Sequence, residues 1–202
     1  LQIQDLMASR RRLVSQLKSN EVYLNEMKNI SNIDNRLILE RLHRDALKGI
    51  SNSISKIETL LKKIVSENEK IKKNYDLLIS VPGIGHLTAI YIICCTCNFA
   101  CRRSGKQLAS YAGVVPFEHS SGISIKGRNR VSNMANKELK KMLHLCALSA
   151  IQFYPEFKCY FERKTGEGKH KMSVINAIRN KIVLRAAAVV IKQMPYISKY
   201  NV

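Results

Sequence analysis

Two adjacent serines, Ser120 and Ser121, precede Gly122 in a stretch followed at once by Lys126, Arg128 and Arg130. A small hydroxyl on a glycine-containing loop can approach a phosphorus centre. Nearby cations can stabilise the charge that develops there. On spacing alone such a pair is usually just a turn. A second group lies upstream, in Ser80-Val81-Pro82-Gly83-Ile84-Gly85-His86. A helix ending in Pro-Gly-Ile-Gly, with an apolar helix following directly, is the helix-hairpin-helix pattern. Gly83 and Gly85 permit positive φ and close backbone approach. Free N–H groups at the start of the second helix can hold a phosphate, and Ile84 would plug the space between the helices. The alternative is a tight helix–helix turn that binds nothing.

Charge favours the phosphate reading. The 202 residues hold 34 Lys+Arg and 15 Asp+Glu, a net charge of +19. Residues 1–80 hold 15 basic and 10 acidic side chains, and residues 81–202 hold 19 and 5. The surplus therefore follows Pro82, and it calls for a polyanionic partner, nucleic acid before an anionic membrane surface. With 46% hydrophobic residues the chain can build a core, which excludes a disordered basic tail. The longest uncharged apolar stretch, Thr88 to Cys97, is far short of the ~20 residues of a spanning helix, so no membrane role is expected. The opening residues do not resemble a signal peptide, and a first residue other than Met suggests a fragment. Four cysteines within eight residues of an apolar run (Cys94, Cys95, Cys97, Cys101) do not form a secreted disulfide pattern, so a reducing cytoplasm is expected. Zinc binding there would need a fourth ligand such as His86 or His119, and buried free thiols are the commoner outcome.

The elements that must position these groups read as mainly α-helical. Residues 1–78 are expected to form a helical coiled-coil region, with one helix over about 6–27 and a longer one running toward Leu78. In the second, Leu47, Ile50, Ile54, Ile57, Leu61, Ile64, Asn68, Ile71, Tyr75 and Leu78 follow a 3-4 spacing. Such a seam packs on a neighbour within the chain or, the favoured reading, on another copy, with Asn68 fixing register. Residues 79–202 are expected to form a compact helical domain, with helices near 86–97, 104–112, 136–153 and 173–194. A loop or small hairpin should occupy 114–131. On the 136–153 helix, Lys137, Lys140, Lys141 and His144 share one face and Leu139, Leu143, Cys146 and Ala150 the other. The basic face suggests nucleic-acid contact, and Arg179, Lys181 and Arg185 invite the same reading. Tyr154, Phe157, Tyr160 and Phe161 are better read as packing residues than as base-stacking ones.

The ordered motifs carry a resemblance. Pro-Gly-Ile-Gly is followed by Leu108-Ala109-Ser110-Tyr111-Ala112-Gly113-Val114-Val115-Pro116, then Ser121-Gly122. After these come Val131-Ser132-Asn133-Met134-Ala135-Asn136-Lys137-Glu138-Leu139-Lys140, and the basic end with Lys171 and Ile178-Arg179-Asn180-Lys181. Over residues 75–195 this resembles the C-terminal domain of the insertion-sequence-110 family of DEDD transposases, and the upstream helices resemble its connecting coiled coil. The resemblance implies a bacterial transposase or site-specific DNA recombinase of a mobile genetic element. Ser121 falls on the family's nucleophile position, with Ser120 as the fallback. Gly83, Gly85, Lys126, Arg128, Arg130, Asn136, Lys140, Lys171, Arg179 and Lys181 are the expected nucleic-acid contacts. The family's divalent metal, Mg, belongs to a RuvC-like N-terminal domain. No such acidic set is read in this chain, so no cofactor is expected in it and it is not expected to cleave DNA alone. DNA, a homo-oligomer through the coil and, as in some members, a structured guide RNA are the implied partners, in a nucleoid-associated cytoplasmic setting. Where the family has Lys, Gly and Arg, this chain has Asn133, Ala135 and Lys140. Lys140 keeps the charge without bidentate phosphate geometry. The rival reading is a non-catalytic helix-hairpin-helix nucleic-acid-binding module.

Overall fold

The computed structural model describes residues 2–30, 33–100, 104–115, 117–121, 125–130 and 134–198, with 28–30, 33–36, 117–121 and 125–130 described by backbone alone. Helices dominate, as the residue pattern requires: α1 (Gln2–Ile30), α2 (Ile33–Glu67), α3 (Glu69–Ile79), α4 (His86–Cys95), α5 (Gly105–Tyr111), α6 (Lys137–Phe153), α7 (Pro155–Gly166) and α8 (Lys171–Lys192). A two-stranded hairpin, β1 (Phe117–Ser121) and β2 (Ile125–Arg130), lies between α5 and α6. The stretch that read as a loop or a small hairpin is thus a hairpin, and the fold is mainly α. The chain divides into two compact units, Leu1–Glu69 and Lys70–Val202.

In the first unit α1 and α2 pack side by side. Arg10 Nε donates to Glu58 Oε1 at 2.7 Å, and the Tyr23 and His43 rings lie 5.2 Å apart. These links run in opposite chain order, so the helices are antiparallel. Partly or fully buried positions on α1 include Leu6, Arg10, Leu13, Leu17, Asn20, Leu24 and Met27; on α2 they include His43, Leu47, Ile50, Ile54, Ile57, Leu61 and Ile64. Both sets alternate steps of four and three, the spacing that keeps one stripe facing a partner helix. The α2 seam therefore has a partner inside the chain.

The seam does not continue unbroken to Leu78. The helix is interrupted at Asn68, which is exposed, so the polar position expected to fix register is not inside a helix interface. Asn is a weak helix former because its side chain competes for nearby backbone groups.

The second unit has a continuous apolar core. Leu77, Leu78, Val81 and Ile84 join Ile92 and Ile93 of α4, Leu108 and Ala109 of α5, Leu139, Leu143 and Ala147 of α6, Phe157 of α7 and Ile178, Ile182 and Ala186 of α8. Helix α8 packs on α5, α6 and α7, and α4 packs on α6. The sequence reading missed α7. Its signal is Pro155 at the first helical position, where the missing N–H costs nothing. Of its aromatics Phe157 is buried and Tyr160 and Phe161 pack against the core, in keeping with a packing role.

Candidate nucleic-acid interface

The turn between α3 and α4 is built from the inside out. Val81 and Ile84 are buried, and Ile84 N–H donates to Val81 O at 3.1 Å. Ser80 Oγ donates to Leu77 O at 2.6 Å and accepts from Tyr196 N–H at 2.8 Å. Gly83 has φ +87°, and a Cβ there would stand 2.5 Å from Cys146 O and 2.9 Å from Ala150 Cβ. The glycine is thus required by its approach to α6 and by its left-handed backbone. Gly85 differs. It is the exposed N-cap of α4, in extended conformation, with no side-chain cap, and a Cβ there would meet nothing within 4 Å. Tyr75 Oη and His86 Nδ1 are 2.7 Å apart at the start of α4. Burial raises the Tyr75 pKa, with the charge of Asp76 adding to it.

At the next helix start, Asn136 ties three helices together. Its Oδ1 caps α6 by accepting from Leu139 N–H at 2.9 Å and also accepts from Tyr91 Oη of α4 at 3.3 Å. Its Nδ2 donates to Tyr111 Oη of α5 at 2.9 Å, and its N–H donates to Tyr111 O at 2.8 Å. A side chain expected to touch nucleic acid is committed to the scaffold instead.

From this cap α6 presents Lys137 and Lys141 exposed, with Lys140 and His144 half-buried, while Leu139, Leu143, Cys146 and Ala150 are buried. Both faces follow the helical period. The residues of α8 are less uniform. Lys171 is exposed at the first turn, where the helix dipole disfavours a cation unless an anion is near. Arg179 is not on the surface: it is 6% exposed and Nη2 lies 2.7 Å from His144 Nδ1. Lys181 Nζ stands 3.6 Å from the Tyr160 ring centroid. Arg185 pairs with Glu156 through both guanidinium Nη atoms and lies over the Phe157 and Tyr196 rings. The expected basic face of α8 is therefore largely internal wiring, because the helix period places Arg179 beside Ile175, Ile178 and Ile182.

The hairpin places Ser121 opposite Ile125 and Ser120 opposite Lys126, with Phe117 opposite Arg130. A register irregularity falls between Phe117 and His119. The side chains of Ser120, Ser121, Lys126, Arg128 and Arg130, and the residue Gly122, lie outside what is described. The segment entering β1 is anchored by Asn176 of α8, whose Nδ2 donates to Val114 O at 2.8 Å. Sequence reasoning passed over Asn176, and only its place on the α8 period could have flagged it.

The cysteines hold no metal arrangement: among the described residues no three His, Cys, Asp or Glu side chains gather as ligands. Cys101 lies outside the described residues. Burial, reinforced by Cys95, pushes the Cys94 thiol up to about 11, so it stays protonated. The metal that the resemblance implies has no fitting ligand set among the described residues. Among those residues no helix is long and apolar enough to cross a membrane.

Residues 75–162 match the family described as Transposase IS116/IS110/IS902, so this region of the chain is similar to that family. It is 30% identical over 154 residues to the pilin gene-inverting protein of Moraxella bovis, covering 75% of this chain and 48% of that protein. It is 31% identical over 107 residues to an uncharacterized 43.6 kDa protein of insertion element IS110 from Streptomyces coelicolor, covering 52% of this chain and 26% of that one. An uncharacterized 42 kDa protein of IS900 from Mycobacterium paratuberculosis is 26% identical over 121 residues, 59% of this chain and 30% of that protein. The matched region spans about half the length of the pilin gene-inverting protein and less of the others.

Proposed function

We propose that this chain is the DNA-engaging, serine-bearing portion of a transposase or site-specific recombinase. The family match over residues 75–162 carries the reading, because that span contains the Gly83–Gly85 turn, the hairpin with Ser120 and Ser121, and the α6 face. Backbone amides at the start of α4 and cations on α6 would contact phosphates without reading base sequence. Ser121 Oγ would then attack a phosphodiester phosphorus. One P–O ester bond forms as another breaks, the serine proton goes to solvent or a base, and the released oxygen takes up a proton as the DNA end departs.

Binding is tested by titrating duplex DNA and structured RNA separately across a salt series. Affinity should fall steeply with salt, and Lys140→Ala should lower the slope of log affinity against log salt by about one. A salt-insensitive or absent interaction defeats the reading. For the nucleophile, Ser121→Ala in a protein that also carries the acidic metal-binding half should abolish strand transfer and leave binding intact. Wild-type recombination by that variant would leave the non-catalytic binding module as the better account. Self-association belongs to the same proposal. The apolar side chains it would cover on the first unit are Val22, Leu37, Ile38 and Leu42, all exposed. Sedimentation of Leu42→Glu against the parent decides that point.

A further inference from the structure

His144 sits in the row Lys137, Lys140, Lys141, His144 on α6, the one member of that row whose side chain is not a lysine. Its ring nitrogens are in different settings. Nδ1 lies 2.7 Å from Arg179 Nη2. Nε2 makes no bond to the described residues and is not among the buried unpaired atoms, so with the ring half-buried it faces solvent. A guanidinium can only donate hydrogen bonds. Nδ1 must therefore accept, which requires it to be unprotonated. In a neutral imidazole the proton then resides on Nε2.

Arg179 is well placed to enforce this. It is buried, its Nε has no partner, and among the described residues no carboxylate bonds to it. A buried cation without a counter-anion is costly, and a second cation on the imidazole would raise that cost. Burial lowers the His144 pKa and the Arg179 charge lowers it further. Among the described residues Arg179 is the charged group whose field reaches the ring; Lys140 and Lys141 flank it on its own helix, and α4 and α7 add no charge that shifts it.

We propose that His144 is an uncharged Nε2–H donor to a phosphodiester oxygen on the nucleic-acid face of α6, with buried Arg179 as the positioning residue that fixes its tautomer. The proposal rests on the nucleic-acid reading of that face and adds a contact of a different kind. The lysines act by charge and release counterions. His144 acts by direction and releases none.

That difference is measurable. In duplex-DNA titrations His144→Ala should weaken binding about three- to tenfold, the loss of one hydrogen bond, with the salt slope unchanged. Lys141→Ala should lower the slope by about one. The affinity gap between the parent and His144→Ala should stay constant from about pH 6 to 8, across the ordinary histidine range. In Arg179→Met the ring is free to take a second proton, so the gap should widen as pH falls through that range. Long-range 15N spectra of the free full chain should show the Nε2–H tautomer at His144, and this measurement stands even if Arg179→Met does not fold. A drop of about one in the slope for His144→Ala, a pH-dependent gap in the parent, or an Nδ1–H tautomer would overturn the proposal. If the parent binds no DNA, the functional reading fails, while the 15N spectrum still decides whether Arg179 sets the tautomer.

Discussion

The two units solve the burial problem differently. The α1–α2 pair is a thin assembly in which most inward residues are only half-buried, and its cross-links include a part-buried ion pair and a tilted ring contact. The unit from Lys70 onward closes a core on several sides and can bury an arginine inside it. It holds 22 basic and 6 acidic residues, against 12 and 9 before it. A helical pair with one stripe can only half-exclude water from its seam. A multi-helix core excludes water fully, so single side chains there carry more stability and more control over their neighbours.

The sharpest test of this contrast is the same truncation in both places. Leu143→Ala, in a fully buried α6 position, should cost about 3 kcal/mol, within the ~2–5 kcal/mol of core truncations. Leu17→Ala, in the half-buried seam, should cost roughly 1 kcal/mol. Denaturant melts of the two variants measure both, and equal losses would erase the distinction. Next in size is Asn136→Ala, which removes a cap and the links to Tyr91 and Tyr111. About 1–3 kcal/mol should be lost, read as a lower unfolding midpoint.

The ion pairs give a smaller contrast. Glu156 is bonded by Arg185 and by Tyr196 Oη at 3.0 Å. Burial pushes its pKa up, but these bonds outweigh it and the net shift is down. A depressed carboxylate stabilises the fold above its unfolded value, about 4.3, and loses that contribution as pH falls through the folded value. Thermal melts should therefore weaken below about pH 4 in the parent, and Glu156→Gln should flatten that part of the profile. The Arg10–Glu58 pair is the smallest case. Glu58→Gln should change stability by under about 1 kcal/mol, and a larger loss would mean the seam depends on charge more than on its leucines.

Much of this was legible in the residues. The 3-4 spacing of α2, the two faces of α6 and the plug at Ile84 follow directly from period and side-chain type. What escaped depended on tertiary partners. Arg179 reads as a surface cation until α8 is wound, and then its neighbours at Ile175 and Ile182 put it in the core. Asn136 looks like a polar contact in a basic motif, yet an Asn one residue before a helix is a cap. The break at Asn68 was hidden because the heptad count ran straight through it. The alternatives for Ser120 and Ser121 remain side by side in one strand, paired to Lys126 and Ile125.

Gly83 bears on how genetics would read this protein. Its position in a Pro-Gly-Ile-Gly turn invites any loss-of-function allele to be scored as a lost DNA contact. Yet a side chain at position 83 would first collide with the α6 backbone at Cys146. The lesion would then propagate to the helix that carries Lys140, Lys141 and His144, so the phenotype would arise from a displaced neighbour. An allele at Gly85, where there is open space, would be the cleaner reporter of the loop itself.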